Sequence, residues 1–357
     1  MRSPLRIVIL GLSITSSWGN GHATTYRGLV RELSARGHEV LFLERDVPWY
    51  AANRDLRALP SARIELYSSL QELKDRFTGD VRYADVVMVG SYVPEGVAVG
   101  EWATTIAHGI TAFYDIDTPV TLAKLARGDA EYLSPALIRR YALYLSFTGG
   151  PALERLEQRY GAPRVRPLYC AVDPHLYYPE HGEERWDLGY LGTYSPDRQP
   201  ALEALLLEPA CRWTRGRFVV AGPQYPPAIA WPTNIQRIEH LPPGEHHAFY
   251  NAQRFTLNIT RADMVCAGYS PSIRLFEAAA CATPIISDYW EGLETFFTPG
   301  KEILVVHTPA ETLHCLWELP ESERVALGWR ARAHVLAEHT AAHRAAELEA
   351  YIRDLQP

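Results

Sequence analysis

A chain of 357 residues with 47% hydrophobic and 22% charged residues is long enough for two domains, and its composition excludes a disordered chain. Its net charge of −7 argues against a general nucleic-acid binder, although it is compatible with a local basic cleft. Five cysteines without metal-type spacing indicate free thiols in a reducing compartment, and no apolar run reaches the ~20 residues that span a bilayer. We therefore expect a cytoplasmic protein.

The chain opens as a strand, a long loop, a helix and a second strand. Ile7 to Leu12 is a short apolar run, Thr24 to Ala35 has helical spacing, and Val40 to Leu43 is apolar again. This order predicts a parallel sheet. Further apolar runs predict more strands at residues 62–67, 84–89, 111–114 and 143–147.

The turn Gly19-Asn20-Gly21-His22 lies between the first strand and the first helix, at the carboxyl edge where open α/β sheets bind ligands. Gly21 allows close backbone approach, and His22 can position an acceptor, act as a general base, or merely cap the helix. The same turn resembles part of a dinucleotide fingerprint, with Glu44 as the ribose-binding acid. The third glycine position is Thr24, and the loop is too long for that fingerprint, so an NAD-dependent oxidoreductase is the second hypothesis.

Two carboxylates, Asp115 and Asp117, follow the predicted strand at residues 111–114. Carboxylates in such a place bind sugar hydroxyls, accept protons or form turns. We predict a catalytic role for Asp115 and acceptor binding for Asp117. The two residues are two apart, so in extended backbone they point to opposite sides. The sequence contains no recognisable metal motif.

Prolines cluster at Arg164–Pro179, and a second strand–helix series follows. Strands are predicted at 188–191, 218–221, 255–259 and 285–287, with a helix at 200–207 and a terminal helix at 341–355. Gly192, Tyr194 and Arg198 follow the first of these strands, and Arg261 follows the third. Two series joined by a proline-rich segment predict two Rossmann-like domains.

The segment from Arg261 to Leu293 contains the strongest pattern of the chain. Ser270 is a suitable N-cap and Pro271 a suitable first helical residue. At 100° per residue, Arg274 and Glu277 fall on one polar face of the predicted helix. Exposed amides at a helix start suit a phosphate group, whereas an ordinary solvated helix face is the alternative interpretation.

The sequence from Ser270 to Leu304, SPSIRLFEAAACATPIISDYWEGLETFFTPGKEIL, resembles nucleotide-sugar glycosyltransferases of the GT-B fold, most closely the branch named for the spore-maturation protein CgeB. The segment around Tyr169 resembles the interdomain segment of GT-B enzymes, and the segment around His339 is similar to the CgeB-type branch. In related families a glutamate at the position of Glu277 holds the ribose, and a second acid often precedes it by eight residues. That second position is Tyr269 here, so half of the paired motif is missing.

The resemblance implies an acceptor-binding domain at residues 1–166, a donor-binding domain at 167–339 and a helix at 340–357 that packs back on the first domain, with transfer in the cleft between the domains. It implies a UDP- or GDP-sugar as donor substrate, no other cofactor, no nucleic-acid partner and no need for a metal ion. The predicted donor-binding residues are Gly192, Tyr194, Arg198, Arg261, Ser270, Ser272, Arg274 and Glu277. A catalytically silent sugar- or nucleotide-binding module is the third hypothesis, because Tyr269 replaces the second acid.

Overall fold

A computed structural model describes residues 4–19, 21–56, 59–60 and 62–356. The chain divides into two units, one formed by Met1–Ala171 with Ala341–Pro357 and the other by Val172–Thr340. The boundary after Ala171 lies inside the predicted proline-rich segment.

The first unit is built on a seven-stranded parallel sheet with the strand order β3-β2-β1-β4-β5-β6-β7. Alternate residues of β1 belong to different apolar clusters, Val8 and Leu10 to one and Ile7 and Ile9 to the other, because successive side chains point to opposite faces. Both faces of the sheet are therefore covered, as parallel sheets require. The strands are β1 (Arg6–Gly11), β2 (Glu39–Arg45), β3 (Arg63–Tyr67), β4 (Val86–Gly90), β5 (Ile110–Asp115), β6 (Leu143–Ser146) and β7 (Val165–Pro167).

The helices of this unit connect consecutive strands. Ser69 caps one of them by accepting a hydrogen bond from the Glu72 N–H at 3.1 Å, and Ser134 caps another through the Leu137 N–H at 3.2 Å. The helices are α1 (Gly21–Ala35), α2 (Pro48–Ala51), α3 (Leu70–Tyr83), α4 (Gly96–Ile106), α5 (Thr118–Ala126), α6 (Pro135–Ile138) and α7 (Pro151–Gln158).

The second unit repeats the scheme with a six-stranded parallel sheet in the order β10-β9-β8-β11-β12-β13. Leu188, Val220 and Leu257 from three neighbouring strands form one apolar cluster under the helices. The strands are β8 (Trp186–Leu191), β9 (Phe218–Ala221), β10 (Ile235–Ile238), β11 (Gln253–Asn258), β12 (Ile285–Ser287) and β13 (Leu304–Val305).

The first helical segment of the second unit contains a π-helical turn at Glu203–Leu207. A proline follows at position 209, and its missing N–H removes one helical hydrogen bond in this segment. The helices are α8 (Gln199–Leu202), α9 (Glu208–Arg212), α10 (Pro243–Asn251), α11 (Ala262–Ala267), α12 (Ile273–Ala280), α13 (Pro309–Glu318) and α14 (Glu321–Glu338).

The last helix, α15 (Ala341–Arg353), belongs to the first unit and packs on α1. Ala345, Leu348 and Ile352 are buried in the first unit's core. Gly28 allows the close approach, since a Cβ there would lie 3.1 Å from the Ala341 Cβ. The prediction that the terminal helix packs on the first domain is confirmed.

The strand predictions are confirmed to within two residues at each end, and three edge strands were missed. These are β7, β10 and β13. In the part of the chain that the structure describes, none of the helices combines the length and hydropathy that crossing a membrane demands.

Candidate functional site

Each sheet has one topological switch point, where the strand order reverses and where open α/β sheets bind ligands. In the second unit it lies between β8 and β11, and in the first unit between β1 and β4. Polar side chains collect at the carboxyl ends of these two strand pairs.

Three arginines occupy the switch point of the second unit. Arg198 lies in the loop after β8, Arg261 directly precedes α11 after β11, and Arg274 is the second residue of α12. The two loops are tied together, because the Asp197 carboxylate accepts a hydrogen bond from the Ala262 N–H at 2.8 Å. The predicted arginines of the donor site are thus in one neighbourhood.

Arg274 is buried and fixed by its neighbours. Its Nε donates to the Leu191 carbonyl at 2.5 Å and its Nη1 to the Asn258 Oδ1 at 2.9 Å. The guanidinium lies 5.0 Å from the centre of the Tyr190 ring. The acidic neighbour Asp288 has its oxygens engaged by the Thr260 N–H and hydroxyl, both at 2.9 Å.

Arg198 is less well satisfied. One terminal nitrogen donates to the Thr193 carbonyl at 2.6 Å, while its buried Nε has no hydrogen-bond partner among the described residues. Burial lowers the pKa of Arg198, and the positive charges of Arg274 and Arg261 lower it further. Three guanidinium groups that repel one another form a site that an anion would stabilise.

Gly192 and Gly222 let two loops approach this site closely. A Cβ at Gly192 would lie 2.6 Å from the Tyr190 hydroxyl oxygen and 3.0 Å from the Arg274 Nη2. Gly222 has φ +141°, and a Cβ there would lie 2.0 Å from the Gly192 carbonyl oxygen. Tyr194 continues the first loop, with its ring centre 5.5 Å from that of Tyr225.

The start of α12 differs from the prediction. The helix begins at Ile273 with Ser272 as N-cap, and Ser270 is a buried residue before it. The reason is the preceding backbone, because Tyr269 has φ +47° and Ser272 is extended at φ −77°, ψ 140°. The Ser272 hydroxyl oxygen lies 3.5 Å from the Arg274 Nη1, so this serine adjoins the arginine cluster.

Glu277 is buried and does not lie on a solvated helix face. Its Oε2 accepts a hydrogen bond from the Tyr250 hydroxyl at 3.1 Å and lies 3.9 Å from the His246 Nδ1. Burial raises the pKa of Tyr250 and of Tyr177 well above the usual range, and the negative charge of Glu277 raises both further. Both tyrosines therefore stay protonated and able to donate to Glu277. Arg274 and Glu277 share a helix but are held by different partners.

The switch point of the first unit brings together His22, Tyr92 and Asp117. The His22 and Tyr92 rings meet edge to face with their centres 5.5 Å apart, and the Tyr92 hydroxyl donates to the Asp117 Oδ2 at 3.0 Å. Burial lowers the pKa of His22 to about 4, so the imidazole is neutral at pH 7. Gly21 is exposed at the start of α1, where a Cβ would meet no atom within 4 Å, and Asn20 lies outside the described residues.

Asp115 is held inside the first unit by its neighbours. It is fully buried and accepts hydrogen bonds from the Tyr144 hydroxyl at 2.6 Å and the Thr121 hydroxyl at 2.7 Å. Burial raises its pKa to about 6. The Asp117 N–H donates to Asp115 at 3.3 Å, so Asp115 supports the loop that presents Asp117. These contacts favour a positioning role for Asp115 over the predicted catalytic one.

The Glu44 side chain holds the long loop after β1 in place. It is completely buried, and its carboxylate accepts from the Ile14 N–H at 2.7 Å, the Thr15 N–H at 2.9 Å and the Thr15 hydroxyl at 2.6 Å. A carboxylate that is engaged in this way has little capacity left for a ribose. The arrangement argues against the dinucleotide interpretation of the turn at Gly19–His22.

Sequence reasoning missed Tyr92, Asn258, Tyr250 and Tyr177. Tyr92 has φ +62°, an uncommon value for a residue with a side chain, and follows the end of β4. Asn258 is the last residue of β11. The rule that ligands bind at the carboxyl ends of strands beside a switch point would have found both. Tyr250 and Tyr177 carry no such signal.

Comparisons with known proteins agree with this architecture. Residues 198–350 match a family model described as glycosyl transferase-like. No curated protein matches the chain. Sucrose-phosphate synthase from Thermosynechococcus elongatus is similar in structure, with a TM-score of 0.71 and 14% identity over 98% of this chain and 99% of that one.

Two further similar structures contain a nucleotide. HepE from Anabaena in complex with UDP and glucose has a TM-score of 0.71 and 10% identity, covering 98% of this chain and all (100%) of that one. An alpha-glucosyltransferase in complex with UDP has a TM-score of 0.71 and 12% identity, with the same coverage of 98% and 100%. The chain therefore has the GT-B fold, and the glycosyl transferase-like match covers residues 198–340 of the second unit and the beginning of α15.

Proposed function

We propose that this GT-B chain is a glycosyltransferase that moves a sugar from a nucleotide-diphosphate sugar to an acceptor hydroxyl. The single observation that carries the proposal is the arginine cluster Arg198, Arg261 and Arg274 at the switch point of the second unit. A UDP-sugar is the first candidate donor, because HepE and the alpha-glucosyltransferase named above were solved with UDP.

The donor diphosphate would bind the arginine cluster and the N–H groups at the start of α12. Helix N-termini favour anions, and guanidinium groups make strong bonds to phosphate oxygens. From Ser272 to Glu277 the helix rises roughly 7 Å at 1.5 Å per residue, which suits the span from a phosphate to its ribose. Glu277 has lone pairs beyond those that Tyr250 and Tyr177 use, so it can also accept ribose hydroxyls.

The first unit would bind the acceptor through His22, Gly21 and Asp117. A neutral His22 can accept a hydrogen bond or a proton from an acceptor hydroxyl at pH 7. Tyr92 holds the Asp117 carboxylate beside it. We assign His22 primarily to positioning the acceptor or the reacting sugar.

The proposal includes three finer points. The arginine cluster would neutralise the leaving diphosphate, so the transfer would need no metal ion. The motif from Ser270 to Leu304 supports the CgeB-type branch. All five cysteines are free, which supports a cytoplasmic location.

Calorimetric titration with UDP, GDP and ADP tests the donor site through Glu277→Gln. Each hydrogen bond from a ribose hydroxyl to the charged Glu277 carboxylate contributes ~1.5–3 kcal/mol. The Glu277→Gln variant should therefore bind the preferred nucleotide with a Kd at least ~tenfold higher than that of wild type. Glu318→Gln, at an exposed position in the same unit, is the matched control and should leave the Kd unchanged. Equal Kd values for wild type and Glu277→Gln would contradict the assignment. Nucleotide binding without sugar transfer to any acceptor would favour the silent binding module.

A further inference from the structure

Two imidazoles and a carboxylate converge where α14 ends, in a place that the proposed transfer reaction does not use. His334, Glu338 and His339 each offer one ligand atom, and these three atoms lie within 4.8 Å of one another. His334 Nε2 and Glu338 Oε2 are 3.6 Å apart. Glu338 and His339 follow His334 by four and five positions, which places all three at the C-terminal end of α14.

A fourth residue sets the orientation of His334. The Glu302 Oε2 lies 2.9 Å from the His334 Nδ1 and also accepts a hydrogen bond from the Thr298 N–H at 2.7 Å. A carboxylate at Nδ1 favours a proton there and leaves the Nε2 lone pair directed towards Glu338. Metal-binding histidines have this arrangement, in which a second carboxylate fixes the tautomer and makes the ligand more basic.

The ring of His339 is fixed by packing. It is buried and stacks on Phe276 of α12, with the ring centres 4.8 Å apart and the planes at 21°. Glu338 is the exposed residue of the three, with 64% of its side chain accessible to solvent. The two histidines are thus oriented by their neighbours, and the carboxylate faces solvent.

A dication would bind all three groups at once, because two imidazole nitrogens and a carboxylate oxygen are ligands of the zinc type. Zinc–ligand bonds of ~2.0–2.1 Å place tetrahedral ligand atoms roughly 3.3 Å apart, so atoms that lie within 4.8 Å of one another need to approach by at most about 1.5 Å. The His334 Nε2 and Glu338 Oε2 atoms, 3.6 Å apart, are already close to that spacing.

We propose that His334, Glu338 and His339 bind a divalent transition-metal ion of the zinc type, with Glu302 as the carboxylate that orients His334. Nitrogen ligands select such ions over Mg²⁺ and Ca²⁺, which prefer oxygen. Three protein ligands leave a fourth position for water. The ion would join the end of α14 to the turn at Glu302, next to the Phe276 side chain of α12, and so stabilise the second unit. It takes no part in the proposed sugar transfer.

Titration of the full chain with ZnCl₂ and with CoCl₂ tests this site. Zinc should raise the Tm, because an ion that binds only the folded state stabilises it. Cobalt should give the visible absorption of a four-coordinate site without a thiolate charge-transfer band, which separates this site from the free cysteines. Glu338→Gln removes a ligand from an exposed side chain without disturbing the core, and should weaken both metals at least ~tenfold.

Two more variants refine the test. Glu302→Gln should weaken zinc binding ~10–100-fold, the usual effect of losing a carboxylate that orients a histidine ligand. His314→Ala, an exposed histidine on α13, should bind zinc like wild type. Failure of wild type to bind either metal, a thiolate band with cobalt, or equal affinity in wild type and Glu338→Gln would overturn the proposal.

Discussion

Replacing Arg198 with alanine distinguishes a ligand-binding arginine from a structural one, because the two roles predict opposite effects. In the free protein Arg198 donates to the Thr193 carbonyl, but it is also buried beside the charges of Arg274 and Arg261. Loss of the hydrogen bond destabilises the fold, and relief of the repulsion offsets that loss. We expect a net change below ~1 kcal/mol, which corresponds to a Tm change of about 3 °C or less.

The effect on nucleotide binding should be larger. A charge-assisted bond from Arg198 to a phosphate oxygen contributes ~1.5–3 kcal/mol, and each 1.4 kcal/mol is a factor of ten. Calorimetry should therefore show that Arg198→Ala raises the Kd for UDP roughly 10- to 140-fold, while uridine, which lacks phosphate, binds as it does to wild type. Arg215→Ala, at an exposed position of the same unit, is the control. A fall of many degrees in Tm with an unchanged Kd for UDP would refute the reasoning.

Three other variants test separate parts of the account. His22→Ala should lower kcat by ~10²-fold or more and leave the Kd for UDP nearly unchanged, and the wild-type kcat/KM should show no acid limb near pH 6.5, because the pKa of His22 is about 4. For Asp115, the folded pKa of about 6 lies above the unfolded value of ~3.9, so the stability that the protonated form contributes is complete below pH ~4 and is lost as the pH rises through ~6. Urea unfolding should thus show that wild type loses up to about 3 kcal/mol relative to Asp115→Asn between pH 4 and 7, and parallel pH profiles would contradict this. Glu44→Gln should lower the free energy of unfolding in urea by ~2–4 kcal/mol with UDP affinity intact, since buried N–H donors lose a charged acceptor. A variant as stable as wild type would count against the role of Glu44 in holding the loop after β1.

The fold was largely predictable because the central strands are apolar on both faces. Runs such as Ile7–Leu10 are buried by helices on either side, so every residue in them is apolar. A short continuous apolar run of this kind is typical of a buried parallel strand. The edge strands were not predictable in the same way. β10 contains Gln236 and Arg237, and β7 contains Arg166, because one side of an edge strand needs no apolar cover.

The start of α12 shows where a local signal misleads. Ser270-Pro271 is a good helix start by itself, but the left-handed Tyr269 and the extended Ser272 delay the helix to Ile273. Such a delay follows from contacts that are distant in sequence. The Tyr269 N–H donates to the Glu291 carbonyl at 2.6 Å, and the Tyr269 ring lies where Gly292 has no side chain.

The positions of the basic side chains in the candidate sites could be predicted from the sequence, whereas the roles of the carboxylates could not. Arginines after strand ends must lie at the carboxyl edge of a parallel sheet, so Arg198 and Arg261 could be placed from sequence. Which of Asp115 and Asp117 turns inward depends on Tyr144 and Thr121, whose positions only the fold determines. The tyrosines that hold Glu277 are likewise brought to it by tertiary packing.

A crystal structure of the full chain with UDP is the most direct test of the central claim that the second unit binds the donor nucleotide. The account predicts phosphate oxygens within hydrogen-bond distance of the Arg198 and Arg274 guanidinium groups and ribose hydroxyls at the Glu277 carboxylate. UDP bound instead at the turn Gly19–His22 of the first unit would contradict it, and so would a nucleotide whose phosphates contact none of the three arginines.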